Sequence, residues 1–460
     1  MSDPTLPPLH GVRIVDLTMV WAGPYATRLL ADAGADVIKV EGVTRPDSIR
    51  TSGAAALGNA DRAFDRVAYF NEYGRNKRGL ALDLSRPEGR EALLRLVRVS
   101  DALIENFRTG VLEGWGLGAK RLQAERPDLI VVSMPGFAIH GSERNLAGYG
   151  PTIEQLGGLI QLTGYADGGP QKSGISYGDP LAGTLAAGAL IAALLRRQRT
   201  GRGAVVEVSQ RDNMLGMIGE AVLDYSMNRR LQPRRGNRHR WLAPHGCYPS
   251  LPLPPEQARP LGRPGLQTGA AADRWVAIAV ATDAQWRALC GVIGRPELAA
   301  DGRYARALDR YERQDELDQI IAAWTCARGD DEAMFALQAA GVPAAAVRTP
   351  LALTRDPHLA ARGFYREVEH PVAGRHRVAG PLWNVVAPRP EIERPAPTFG
   401  QHRFEVLGDL VGIDAVALAE LERDGIIGAE PLRRQPHGAA EAAENGAATE
   451  TRRESSGVRR

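Results

Sequence analysis

The sequence is poor in cysteine: Cys247, Cys290 and Cys326 are all it has in 460 residues. They lie far apart, are odd in number and form no C-x-x-C pair, so neither a disulfide framework nor a cysteine-rich metal site is expected. Isolated reduced thiols in a cytoplasmic protein are. Net charge is scarce too. Lys plus Arg number 57 against 54 Asp plus Glu, a balance of +3 that does not point to nucleic acid or a membrane surface. The nine histidines show neither H-x-x-x-H nor H-E-x-x-H spacing, so no metal is expected. The turn Val20-Trp21-Ala22-Gly23-Pro24-Tyr25 lacks G-x-G-x-x-G, which speaks against NAD, and there is no G-x-x-x-x-G-K-[ST] loop for nucleoside triphosphates. The longest apolar stretch, Pro180 to Leu195, is shorter than the roughly 20 residues of a membrane span and reads as a buried helix. Met1-Ser2-Asp3-Pro4 opens no signal peptide.

What is present is ordinary globular composition, 44% hydrophobic and 24% charged, enough to bury a core. Residues 12–17 read as a strand, Tyr25 to Asp32 as a helix closed by Ala33-Gly34, and Asp36 to Glu41 as the next strand. The alternation continues. Strands are predicted at Gly79–Leu84, Asp101–Phe107, Leu129–Met134 and Ala204–Ser209. Helices are predicted from a Ser85 capping box to about Val99, and from Pro180 to about Arg199. Such a sequence predicts an α/β fold with an open, mostly parallel sheet over 1–224. A smaller α+β domain is predicted over 225–340. The segment 341–430 has short strands of its own that could return to the first domain. The tail 431–460 has almost no large apolar groups and should be disordered.

Gly178-Asp179-Pro180-Leu181-Ala182-Gly183 is the segment best suited to chemistry. Asp followed by Pro is a good helix N-cap, and spacing alone asks for nothing more. A carboxylate at a helix N-terminus is also held ionised, and an ionised, positioned carboxylate can attack an acyl carbon. The small residues around it would admit a bulky acyl group. Asn76-Lys77-Arg78 is either a solvated turn or a basic loop for phosphates. Glu105-Asn106-Phe107 stands at a strand end, where open α/β sheets bind ligands, or is a plain sheet-edge turn. The basic run 229–240 reads as a solvated face, or one that greets an anion.

Together these segments resemble the family III CoA-transferases, which include formyl-CoA transferase. The resemblance spans most of residues 9–430. It rests on Leu9-His10-Gly11-Val12-Arg13-Ile14-Val15-Asp16-Leu17, Ala22-Gly23-Pro24, Leu30 to Glu41, Asn76-Lys77-Arg78, Glu105-Asn106-Phe107, Gly178-Asp179, Thr200-Gly201-Arg202-Gly203, Gly236-Asn237-Arg238 and Gly341-Val342-Pro343. It implies a large Rossmann-like domain completed by the C-terminal segment, a small domain, and a homodimer of interlocked chains. It implies Asp179 as the nucleophile on an acyl-CoA thioester. It implies CoA contacts from Val20, Trp21, Ala22, Asn76, Lys77, Asn106 and Phe107, with Tyr149 beside the nucleophile. Coenzyme A would enter as a thioester substrate, not as a tightly bound cofactor, and a carboxylic acid would accept it.

The sequence departs from the family pattern in places. Gly42 stands where many members carry a basic residue. Trp21 stands where formyl-CoA transferase has Gln, which argues against formyl-CoA and oxalate as substrates. The Tyr-Glu pair of that enzyme is Tyr149-Gly150 here, with Glu154 a candidate replacement. The related 2-methylacyl-CoA racemases use a His-Asp pair at that place. Racemisation needs two acid/base groups flanking the α-carbon, which Tyr and Gly do not supply. A CoA-binding protein without turnover is a further alternative. An NAD oxidoreductase would rest on fold analogy alone. Trp21, Tyr149 and Leu156 to Leu162 suggest a moderately apolar acyl pocket, with succinyl-CoA as an expected donor and a dicarboxylate or an aromatic or branched acid as its partner.

Overall fold

The computed structural model describes residues 6–55, 57, 60–254, 273–383 and 391–432. The 251–272 insertion lies outside the described residues from 255 on, and the tail expected to be disordered lies outside them from 433 on. The chain divides into two compact units, one gathering 1–153, 176–217 and 365–460, the other 154–175 and 218–364. The change of unit expected at 224 thus falls at 217, and the return expected from 341 begins at Tyr365. Residues 341–364 instead complete the second unit's sheet.

The first unit is built on six parallel strands, β1 (Arg13–Asp16), β2 (Asp36–Glu41), β3 (Lys77–Ala81), β4 (Ala102–Glu105), β5 (Ile130–Ser133) and β6 (Ala204–Glu207). Their spatial order is β3-β2-β1-β4-β5-β6, that of a doubly wound nucleotide-binding sheet. Side chains alternate faces along each strand, and β1 to β5 are covered on both faces, while β6 at the edge exposes Val205 and Glu207. Ile14, Val37, Ile104 and Val132 pack in one layer with Ala26, Leu30, Ala186 and Leu190. Val15, Ile38, Leu103 and Val131 pack in the other with Leu93, Leu96, Leu407 and Ile426. Leu407 and Ile426 show the C-terminal segment closing that second layer.

The long helix runs Gly178–Thr200, further at both ends than the sequence suggested. By length and composition it would suit a membrane span, yet Ala182, Ala186, Leu190 and Leu194 are buried in the core layer while Leu185, Ile191 and Leu195 are exposed. It lies close against the helix Ala22–Asp32: a Cβ added at Gly183 would sit 2.5 Å from the Ala22 carbonyl oxygen and 3.1 Å from the Tyr25 ring. The Ser85 capping box does not form. Asp83 accepts the Ser85 hydroxyl at 2.6 Å, and the helix Pro87–Arg98 starts after Arg86 with no side-chain cap. A local turn has captured the hydroxyl that would have capped.

The second unit has a three-stranded antiparallel sheet, β7 (His245–Pro249), β8 (Trp275–Ala279) and β9 (Ala344–Ala346), in that order. Tyr248, Val276, Ile278, Trp286, Leu289, Ile321 and Leu337 form its core. The first unit also carries a hairpin, β10 (Tyr365–His370) with β11 (Gly374–Ala379).

Candidate active site

In a doubly wound sheet the crevice opens where the strand order reverses, outside the carboxyl ends of β1 and β4. The segments following those two strands, Met19–Trp21 and Asn106–Arg108, line one wall of a cavity of about 450 Å³. Ser48, Tyr69, Tyr149, Gly150, Pro151, Ser176, Asp179 and Gln210 complete its polar and close-packed parts. Asp179 is the one carboxylate and Arg108 the one cation among the described residues that line it, and no histidine does.

Five helices start at this wall: Ala22–Asp32, just after Trp21, then Ser48–Ala55, Gly150–Leu156, Gly178–Thr200 and Gln210–Met217. Each N-terminus carries partial positive charge, so together they make the cavity favour anions, although several of their first N–H groups, such as those of Gln210, Arg211 and Asp179, already bond to backbone carbonyls. Asp179 is not the helix cap that its spacing suggested. Tyr177 occupies that position without a side-chain cap bond, and Asp179 sits inside the first turn, 8% exposed. Gly150 lies directly against it. A Cβ there would collide with Asp179 Oδ2 and stand 2.6 Å from Ser176 Oγ, so only glycine leaves the carboxylate its place.

An aromatic cluster backs Trp21 and Tyr69, which both line the cavity. Tyr69 meets Trp21 at 6.0 Å and Tyr73 at 5.2 Å, and Tyr25 meets Tyr73 at 6.0 Å. The Arg28 guanidinium lies 4.6 Å from the Tyr25 ring centre. Burial first, then the neighbouring Tyr73, Asp179 and Asp47, holds the Tyr69 phenol well above its ordinary range. It therefore stays neutral and able to donate. Beneath the floor, burial pushes the Glu105 carboxyl up to about 7, against hydrogen bonds from Ser133 Oγ and the Phe107 N–H.

Of the residues singled out in the sequence, Val20, Trp21, Asn106, Phe107 and Tyr149 line the cavity with Asp179. Ala22, Asn76 and Lys77 do not. Ala22 is buried in the first turn of its helix. Asn76 fastens the C-terminal segment, donating to Glu391 O and accepting from the N–H groups of Glu393 and Arg394. The expected basic loop is the start of β3. Lys77 is 1% exposed, and its Nζ donates to Asp16 Oδ2 at 3.1 Å and Thr27 Oγ1 at 2.7 Å, inside the core. A parallel strand buried on both faces leaves its first lysine no route to solvent. Glu154 belongs to the second unit, buried, with Oε1 accepting from Ser173.

Sequence reasoning missed Ser48, Tyr69, Arg108, Ser176 and Gln210. Arg108 directly follows a chosen pair and was within reach. Ser176 stands in Gly174-Ile175-Ser176-Tyr177-Gly178, the spacing of a hydrolase nucleophile elbow. No strand leads into it and no histidine among the described residues lines the cavity, so a serine triad is not what the spacing marks.

The model of CoA-transferase family III matches residues 9–251 and 255–403. The chain belongs to that family. A succinyl-CoA–D-citramalate CoA-transferase from Chloroflexus aurantiacus is 34% identical over 91% of this chain and 98% of its own. A succinate–glutarate CoA-transferase from Agrobacterium fabrum is 31% identical over 89% and 98%. The crystal structure of a CAIB/BAIF family protein from Brucella suis superimposes with a TM-score of 0.76 at 29% identity, over 88% of this chain and all of that one. This family III chain is accordingly an enzyme that transfers CoA.

Proposed function

We propose that the enzyme moves CoA from an acyl-CoA donor, with succinyl-CoA the first candidate, to a carboxylic acid through covalent intermediates on Asp179. The observation that carries this reading is Asp179 itself, the one carboxylate lining a cavity whose wall is made of helix N-termini. A carboxylate oxygen of Asp179 attacks the thioester carbon, the C–S bond breaks, and CoA thiolate leaves a mixed anhydride. The thiolate attacks the Asp179 carbonyl and expels the donor acid, giving an aspartyl-CoA thioester. The acceptor carboxylate attacks that carbonyl and releases thiolate once more. The thiolate then takes the acceptor acyl group and frees Asp179. Every species in this cycle is an anion or passes through an oxyanion, which the converging helix N-termini and the neutral Tyr69 stabilise. Val20, Trp21, Asn106, Phe107 and Tyr149 are the proposed contacts to the CoA thioester. The named relatives that use succinyl-CoA or succinate support the choice of donor.

Among the described residues that line the cavity there is no histidine and no second carboxylate to serve racemisation, and Gly150 has no room for one. We place the reaction in the cytoplasm and the working enzyme in a homodimer. The exposed Leu185, Ile191 and Leu195 on the long helix favour the latter. Intact-protein mass after mixing with an acyl-CoA panel, with and without hydroxylamine, tests the route. An adduct that needs Asp179 and that hydroxylamine removes supports it. CoA binding without any adduct from any donor overturns it.

A further inference from the structure

Val20 has φ +68°, the left-handed region that a β-branched side chain avoids, and it lines the cavity. Strain of this kind persists only where the surroundings impose it. Here they do, on consecutive backbone groups. Lys39 Nζ donates to the Thr18 carbonyl. The Asn106 amide pairs with both polar groups of Met19, accepting its N–H at 2.7 Å and donating to its carbonyl at 2.8 Å. The Asp47 carboxylate accepts the Val20 N–H at 3.0 Å. Asp47 is 1% exposed, and Lys39, equally buried, holds it at 3.3 Å. Lys39 therefore ties the acceptor of Val20 to the carbonyl two residues earlier.

We propose that Asp47 is a positioning residue for the transfer reaction. Its carboxylate fixes the strained Val20 and thereby sets the Val20–Trp21 part of the cavity that Asp179 also lines. The inference rests on the reading of this cavity as the transfer site. A plainer role competes with it: Asp47 precedes the helix Ser48–Ala55 and accepts the Ile49 N–H at 3.3 Å, as a helix cap does.

Two substitutions separate these roles. Asp47→Asn loses the charge but keeps an acceptor for Val20. Asp47→Ser loses the same charge and still caps the helix, but is too short to reach Val20. Both are compared for thermal midpoint, kcat and KM, alone and combined with Val20→Gly, since glycine takes positive φ without strain. The expected result is a kcat about tenfold or more lower in Asp47→Ser than in Asp47→Asn at similar thermal midpoints. That gap should shrink to about threefold or less when Val20→Gly is added to both, because nothing then has to be forced. Equal kcat for the two variants, or a gap that survives undiminished alongside Val20→Gly, overturns the proposal. If Asp47→Ser does not fold, Asp47→Asn decides: a loss of about a hundredfold in kcat at an unchanged midpoint shows that charge, not the bond to Val20, is what matters. Wild-type enzyme run alongside with hydroxylamine keeps the two readings apart. A missing Asp179 adduct there indicts the transfer mechanism, whereas a present one leaves only the role of Asp47 at stake.

Discussion

Adding a single methyl group at Gly150 should disable the enzyme while leaving the fold standing. In Gly150→Ala the new Cβ falls inside contact distance of Asp179 Oδ2 and 2.6 Å from Ser176 Oγ. Carbon and oxygen need somewhat more than 3 Å, so the carboxylate must retreat by about 1 Å or turn away. A displacement of about 1 Å at a reacting group costs on the order of a hundredfold in rate, equivalent to about 2.7 kcal/mol of barrier. The backbone at Gly150 is helical, so the substitution carries no backbone penalty, but overpacking of the new Cβ against Ser176 Cβ, 2.3 Å away, costs about 1–3 kcal/mol. The assay is kcat/KM for acyl-CoA with a carboxylic acid acceptor, read beside the thermal midpoint. A fall of about a hundredfold with a midpoint shifted by only a few degrees is expected. Wild-type kcat/KM in Gly150→Ala would refute the claim that the close approach of Gly150 places Asp179.

Other substitutions probe what surrounds the site. Gly183→Ala drives a Cβ against the Ala22 carbonyl oxygen and should destabilise the first unit by about 1–3 kcal/mol in denaturant unfolding. Lys77→Met leaves Asp16 buried beside Lys39 with its closest cation gone. A loss of about 3 kcal/mol in stability is expected, and no specific loss of CoA affinity at permissive temperature. Glu105 has a folded-state pKa raised to about 7 by burial, so its proton binds the folded state more tightly than the unfolded chain. Its stabilising contribution is full below about 4.5 and lost as pH rises to about 7, a span of about 3 kcal/mol. Glu105→Gln should therefore gain stability relative to wild type between pH 5 and pH 8, and parallel pH profiles for the two proteins would contradict this.

Much of the first unit was legible because its strands are short apolar runs between helical segments, and Asp36–Glu41 was placed to the residue. The parallel sheet follows from that alternation. The boundaries were not legible, since the return at Tyr365 depends on which layer Leu407 and Ile426 cover, a contact hundreds of residues from its partners. Asp179 was visible through its small neighbours, the segment after β4 through its place at a strand end, and Val20 and Trp21 through the family resemblance. The pair Asn76 and Lys77, which do not line this cavity, shows the limit of charge as a guide. A lysine at the head of a strand looks like a solvent-facing cation until the carboxylate that pairs with it in the core, Asp16, is known. Tyr69 carried no motif at all, and only the packing of Trp21, Tyr69 and Tyr73 brings it to the cavity.

The central claim is that Asp179 exchanges an oxygen atom with its substrates at each turnover. Catalysis with an acceptor acid whose carboxylate is labelled with 18O, followed by proteolysis and mass measurement of the peptide carrying Asp179, tests it directly. One heavy oxygen in the Asp179 side chain after a single turnover, and up to two after many, is the expected result. Turnover that leaves this side chain unlabelled would contradict it.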